Sequence, residues 1–235
     1  MNRMQRGARQ VKLSIADTFT LLNALSGFLG ITYVLDGKYH TAALLLFAAV
    51  LFDGLDGMSY RRFGSRHSSG DKLDSIADSI SFVIFPAIFL YSVYYDPARG
   101  PALVDSENAL AVISAFAILF SGLYHLGLFI THGPDTFFPG HPTPLVSVLI
   151  IEAVFILPAK VTETMALVLA ASMVLPIKIP KVRGKAYLPV FVILIISTCY
   201  FALYILGTDF PPFLWLGFGA TATYAVLSPL LARLI

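Results

Sequence analysis

The chain has 235 residues, of which 57% are hydrophobic and only 13% charged, and its mean hydropathy is +0.79. The surface of a water-soluble domain needs roughly twice that share of charges, so a soluble globular fold is excluded and an all-α, polytopic membrane bundle is expected. The net charge of +2 decides little, because the position of each Lys and Arg outweighs their sum in a membrane protein, and the lone cysteine, Cys199, excludes an intramolecular disulfide or a multi-cysteine zinc site.

Residues 1–14 form a basic N-terminal segment with Arg3, Arg6, Arg9 and Lys12. The apolar run behind it is long enough to stay in the membrane, and no small-residue cleavage pattern closes it. About 20 apolar residues are needed per crossing, which gives eight expected helices: Ile15–Leu35, Tyr39–Phe63, Asp71–Tyr95, Ala109–Thr131, Pro144–Leu157, Val161–Ile177, Leu188–Leu206 and Phe213–Arg233. The fifth and sixth are short, with Pro158 marking a turn or kink between them. No internal repeat or linker interrupts the pattern, so residues 1–235 read as one membrane domain.

With the N-terminus in the cytoplasm, Arg3, Arg6, Arg9, Lys12, Arg61, Arg62, Arg66, Lys72, Lys178, Lys181, Arg183, Lys185 and Arg233 fall on the cytoplasmic side. Of the 16 basic residues, Lys38, Arg99 and Lys160 are left outside. This asymmetry predicts a multi-pass protein of the cell membrane with both termini inside. The turn between the second and third helices then faces the cytoplasm.

That turn is flanked by four carboxylates at membrane depth, Asp53 and Asp56 before it and Asp74 and Asp78 after it. Asp53, Asp56, Gly57, Tyr60 and Arg61 span an arc of roughly 140° on a helix and share a face. Asp74 and Asp78, four residues apart, stack on one face of the next helix. A turn of about seven residues makes the two helices antiparallel neighbours, with Asp53 roughly 15 Å from the cytoplasmic end. Four ionised acids so close repel one another, and oxygen-only ligands call for hard divalent cations, magnesium or manganese rather than zinc. Two such ions balance four charges and suit a phosphoryl displacement. Gly57 leaves room beside the acids, and Arg61 is placed to grip a phosphate.

These residues resemble the signature of the CDP-alcohol phosphotransferases: Asp, two residues, Asp-Gly, two residues, Ala-Arg, eight residues, Gly, three residues, Asp, three residues, Asp. Asp53, Asp56, Gly57, Arg61, Gly70, Asp74 and Asp78 match with every spacing intact, and Tyr60 replaces the alanine. The resemblance implies a six-helix family core and a homodimer. It also implies that the four aspartates share two divalent ions, Mg²⁺ or Mn²⁺, against the pyrophosphate of a CDP-linked lipid, and that Asp78 is the base for the acceptor hydroxyl. The leaving group that the resemblance implies is CMP. By the same resemblance Gly57, Arg61 and Gly70 would line the nucleotide and phosphate site. Three further stretches, Ile15 through Asn23 to Gly27, Asp74 through Phe82 with Pro86-Ala87, and Phe138 through Pro144, are similar to the phosphatidylserine and archaetidylserine synthase branch. That branch carries an arginine-rich segment late in its fourth helix where this chain has Leu123 through Leu128.

Between Leu73 and Ile177 the only basic residues are Arg99 and Lys160. A phosphorylated acceptor, inositol phosphate or glycerol phosphate, calls for further cations near the metals, so a net-neutral alcohol such as serine is the expected acceptor. No nucleic-acid partner is expected. Thr20 and Asn23 in the opening helix are read either as nucleotide contacts or as interhelical hydrogen bonds. Glu152 and His125 are read as packing groups before functional ones. A divalent-metal transporter is the rival from another class, and it calls for inverted repeats and broken helices that the sequence does not show.

Overall fold

The computed structural model describes residues 14–63, 70–132, 137–180 and 187–231. Among these residues it forms a bundle of eight helices: α1 (Ile15–Leu35), α2 (Tyr39–Phe63), α3 (70–94), α4 (Ser106–His132), α5 (Thr143–Ile156), α6 (Ala159–Val174), α7 (Tyr187–Ile205) and α8 (Pro211–Leu231). All eight expected helices are present, with ends within three residues of those read from the hydropathy pattern. Arg66, His67, Arg183, Lys185, Arg233 and the N-terminal basic residues lie outside the described residues.

Among the described residues, four segments are long and apolar enough to cross a bilayer: Ile15–Leu35, Tyr39–Tyr60, Lys72–Tyr94 and Ser106–Leu128. α5, with 14 residues, is about 21 Å long and too short to span a hydrocarbon core of about 30 Å unaided. It is instead wrapped by protein. Val146, Val148, Leu149, Ile150, Ile151 and Ala153 are all buried, so no side of this stretch of α5 is left open to lipid.

The helix starts and turns have local causes. Ser14 and Asp17 form a reciprocal capping box at the start of α1, with the Ser14 Oγ accepting from the Asp17 amide and the Asp17 carboxylate accepting from the Ser14 amide. The α1–α2 turn reverses at Gly37, whose φ of 73° suits glycine, and the Gly37 and Lys38 amides close onto Val34 and Tyr33 carbonyls at 2.9 and 2.8 Å. Pro158 marks a turn: α5 ends at Ile156 and α6 begins at Ala159.

One core layer joins α2, α3, α5 and α7 through Leu46, Phe47, Phe82, Phe85, Phe89, Ile151 and Phe201, and a second joins α3, α4, α5, α6 and α8 through Leu90, Ile118, Leu149, Ile150, Met173 and Ala225. α3 and α5 belong to both. A short antiparallel ladder, β1 (Phe137–Pro139) with β2 (Lys178–Pro180), ties the segment before α5 to the one after α6.

α3 is not uniform. Its first part, Gly70–Asp78, is α-helical, Ser79–Ile84 is π-helical, and Phe85–Tyr94 is α-helical again. The Phe85 amide bonds back to the Ile80 carbonyl, five residues away. Pro86 follows at once; a proline ring crowds the carbonyl four residues behind it, and the widened turn relieves that crowding. The widening begins at the residue after Asp78.

Candidate functional site

α2 delivers Asp53 and Asp56, and α3 delivers Asp74 and Asp78. α1 packs along α2 and along the length of α3, so three helices enclose the acids. A ligand oxygen from each of Asp53, Asp56 and Asp74 lies within 4.8 Å of the others. Asp56 is buried at 2% exposure, while Asp53 and Asp74 are half-buried, leaving the group open on one side. Three carboxylates at this spacing repel strongly unless a cation sits among them, and their all-oxygen donor set fits magnesium or manganese. Asp78 stands outside this group of three but within Coulombic reach of Asp53, Asp74 and Asp56.

Two α1 side chains hold two of the acids. The Thr20 hydroxyl lies 2.7 Å from Asp56 Oδ2 and 3.1 Å from the Ala16 carbonyl. It has one proton to give, and the shorter, charge-assisted bond to the carboxylate takes it. Asn23 donates Nδ2–H to Asp78 Oδ1 at 3.1 Å. Thr20 and Asn23 are both buried, at 2% and 0% exposure. Of the two roles open in the sequence, the hydrogen-bonding one is seen, and its partners are the acids themselves.

Gly57 is half-buried on the same helix as Asp53 and Asp56, and Tyr60 is 43% exposed one turn nearer the helix end. Arg61 belongs to the last turn of α2 and Gly70 opens α3. Their side-chain surroundings, like the turn at 64–69, lie outside the described residues.

Gly27 and Ser81, which lie in two of the stretches matched in the sequence but were given no role of their own there, stand where α1 crosses α3. A Cβ on Gly27 would come within 2.3 Å of Ser81 Oγ and 2.7 Å of its Cα. The run of small residues Ser26, Gly27 and Gly30 on α1 was the available signal for such a close approach.

His125 and Glu152 belong to packing. His125 donates Nδ1–H to the Met173 carbonyl at 3.0 Å and is buried, and a carbonyl partner fixes the proton on that nitrogen. Glu152 Oε1 accepts from the Ser197 hydroxyl at 2.6 Å, joining α5 to α7.

The bundle and its acid cluster describe a polytopic membrane protein with three carboxylates between two helices that could hold a hard cation. Residues 13–207 match the family model for CDP-alcohol phosphatidyltransferase, and the chain belongs to that family. It is similar to archaetidylserine synthase of Methanothermobacter thermautotrophicus, 35% identical over 141 residues that make up 59% of this chain and 56% of that protein. It is also similar to CDP-diacylglycerol–serine O-phosphatidyltransferase of Methanocaldococcus jannaschii, 28% identical over 182 residues, 77% of this chain and 81% of that one. The like-named protein of Saccharomyces cerevisiae is 28% identical over 146 residues, 59% of this chain and 52% of its own. The matched region thus spans little more than half the length of the first and last of these.

Proposed function

We propose that this protein transfers the phosphatidyl or archaetidyl group of a CDP-linked lipid to the hydroxyl of serine, releasing CMP. The observation that carries the reading is the gathering of Asp53, Asp56 and Asp74 within 4.8 Å, with Asp78 beside them, at the signature spacing. Asp53, Asp56 and Asp74, with Asp78, hold two divalent ions, Mg²⁺ or Mn²⁺. When bound, these supply charge neutralisation for the donor pyrophosphate. Gly57, Arg61 and Gly70 line the nucleotide and phosphate side.

Asp78 takes the proton of the acceptor hydroxyl. The acceptor oxygen forms a bond to the lipid-side phosphorus as the bond from that phosphorus to the CMP oxygen breaks, and CMP departs with the electron pair. Little covalent work is asked of the protein, since phosphoryl transfer is mostly positioning and electrostatics.

Serine is favoured by the charges. Arg99 pairs with Glu107 and with Asp96, and Lys160 pairs with Glu107 at 3.4 Å. These pairs lie beyond the far end of α3 from the acids. Neither cation is placed to meet an acceptor phosphate. The names of the relatives support the same acceptor. The asymmetry of the basic residues supports a site on the cytoplasmic side of the cell membrane with both termini, and the family resemblance supports a single domain acting as a homodimer.

The test is CMP release by the purified protein with manganese or magnesium and CDP-diacylglycerol or CDP-archaeol, with serine, glycerol phosphate and inositol phosphate offered separately. Release with serine is expected. Release only with a phosphorylated acceptor overturns the acceptor assignment, and no release with any acceptor overturns the transferase reading.

A further inference from the structure

We infer that Ser81 and Gly27 are positioning residues for Asp78, acting through Asn23 as one clamp between α1 and the π-helical segment of α3. This rests on the reaction proposed above, in which Asp78 is the base.

Four contacts form a closed chain. Gly27 lets α3 approach so closely that a Cβ would meet Ser81 Oγ, Cα and Cβ at 2.3, 2.7 and 2.9 Å. At that distance Ser81 donates its hydroxyl to the Asn23 main-chain carbonyl at 2.9 Å. Asn23 in turn donates its side-chain amide to Asp78 Oδ1 at 3.1 Å. Asp78 and Ser81 are joined by the first residues of the π-helical segment, Ser79–Ile84. Ser81 thus fixes the main chain of the residue whose side chain fixes the carboxylate.

The bonding accounts for the Ser81 hydroxyl and for the NH₂ end of Asn23, while Asn23 Oδ1 has no hydrogen-bond partner among the described residues. Asn23 and Ser81 are fully buried, at 0% exposure. A buried hydroxyl or amide kept only for packing is costly unless bonded, and an apolar residue would fill the same space. The orientation of the Asn23 amide is set by its partner, because a carboxylate accepts and only the NH₂ end can donate to it.

The π-helical turn matters for the same reason. A regular α-helix keeps residues three apart within about 60° of the same face, and the wider turn alters that phase. Asp78 can face the acid cluster while Ser81 faces the α1 main chain. A general base is useful only when held within hydrogen-bond reach of the proton it removes, and small misplacements are costly in rate.

The experiment measures kcat, KM for the CDP-lipid and for serine, and manganese binding by titration, in Ser81→Ala, Gly27→Ala, Asn23→Ala and the double variant Ser81→Ala/Asn23→Ala. Ser81→Ala is expected to lower kcat about tenfold and Asn23→Ala about a hundredfold, with both KM values within twofold of the parent and manganese affinity reduced far less than kcat, because Asp53, Asp56 and Asp74 keep their places. Because Ser81 acts through Asn23, the double variant is expected to match Asn23→Ala alone. Gly27→Ala is expected to follow Ser81→Ala; if it does not fold, the Ser81 and Asn23 cycle decides. Multiplying effects in the double variant, or full kcat in Ser81→Ala with an active parent, overturn the clamp and leave the transferase reading standing. A parent protein that releases no CMP overturns both.

Discussion

Asn23 reaches from α1 to Asp78 on α3 and donates its amide to the carboxylate at 3.1 Å, while one turn earlier Thr20 reaches from the same helix to Asp56 on α2 at 2.7 Å. The first helix therefore bonds one acid on each of the two motif helices. Its contribution to the site is orientation of acids that the signature spacing supplies. A difference between the two bonds follows: Thr20 holds a member of the close three-acid group, and Asn23 holds the acid beside it.

Thr20→Val keeps the shape of the side chain and removes the hydroxyl. Asp56 then loses the Thr20 donor at a buried position, and one constraint on the arrangement that draws Asp53, Asp56 and Asp74 together is removed. The manganese concentration needed for half-maximal activity is expected to rise several-fold, with kcat at saturating manganese little changed. Activity titrated against manganese checks this, and an unchanged requirement counts against the orienting role of Thr20.

Asp78→Asn removes the proposed proton acceptor while keeping the size of the side chain. General-base catalysis contributes on the order of 10²–10⁴ in rate, so CMP release is expected to fall by at least about a hundredfold. Asp53→Asn and Asp74→Asn are expected to lose activity through weakened manganese binding, seen directly by titration. Full turnover in Asp78→Asn rules it out as the base.

Removing divalent ions with a chelator is expected to abolish CMP release and to destabilise the bundle little, because the two core layers that join its helices are apolar. The carboxylates brought together by α2 and α3 repel without a cation, so added manganese or magnesium is expected to raise the thermal midpoint modestly. Zinc, which prefers nitrogen and sulfur ligands, is expected not to restore full activity. Thermal unfolding and CMP release measured on the same sample, with each ion added back in turn, check both halves.

The helices were legible because each apolar run is bounded by strong turn formers such as Asp36-Gly37, Pro158 and Pro211-Pro212. The acids were legible because carboxylates at membrane depth are rare and their spacing puts them on defined faces. The partners of Thr20 and Asn23 were not, since which acid a side chain meets depends on the rotation and offset of one helix against another. The π-helical stretch at Ser79–Ile84 was also hidden: one widened turn leaves the hydropathy of the run unchanged. The β1–β2 ladder escaped for a plainer reason. Its strands are three residues long and include Pro139 and Pro180, which read as loop.

Away from the acids, Glu152 gives the sharpest stability prediction. It is fully buried, its Oε1 accepts from Ser197 at 2.6 Å, and its Oε2 has no hydrogen-bond partner among the described residues. Gly217 on α8 makes room for the pair: a Cβ there would lie 2.2 Å from Ser197 Oγ and 2.9 Å from Glu152 Oε1. A buried carboxyl bonded on one side is costly in charged form. Glu152→Gln retains the size and the Ser197 bond without a charge, so its thermal midpoint is expected to equal or exceed that of the parent. Glu152→Ala opens a cavity and leaves the Ser197 hydroxyl without its acceptor, at a cost of about 2–4 kcal/mol. Gly217→Ala is expected to separate α8 from α7 and to be destabilising as well. Unfolding in detergent followed by circular dichroism ranks the three, and a Glu152→Gln protein less stable than Glu152→Ala refutes the packing role assigned to this residue.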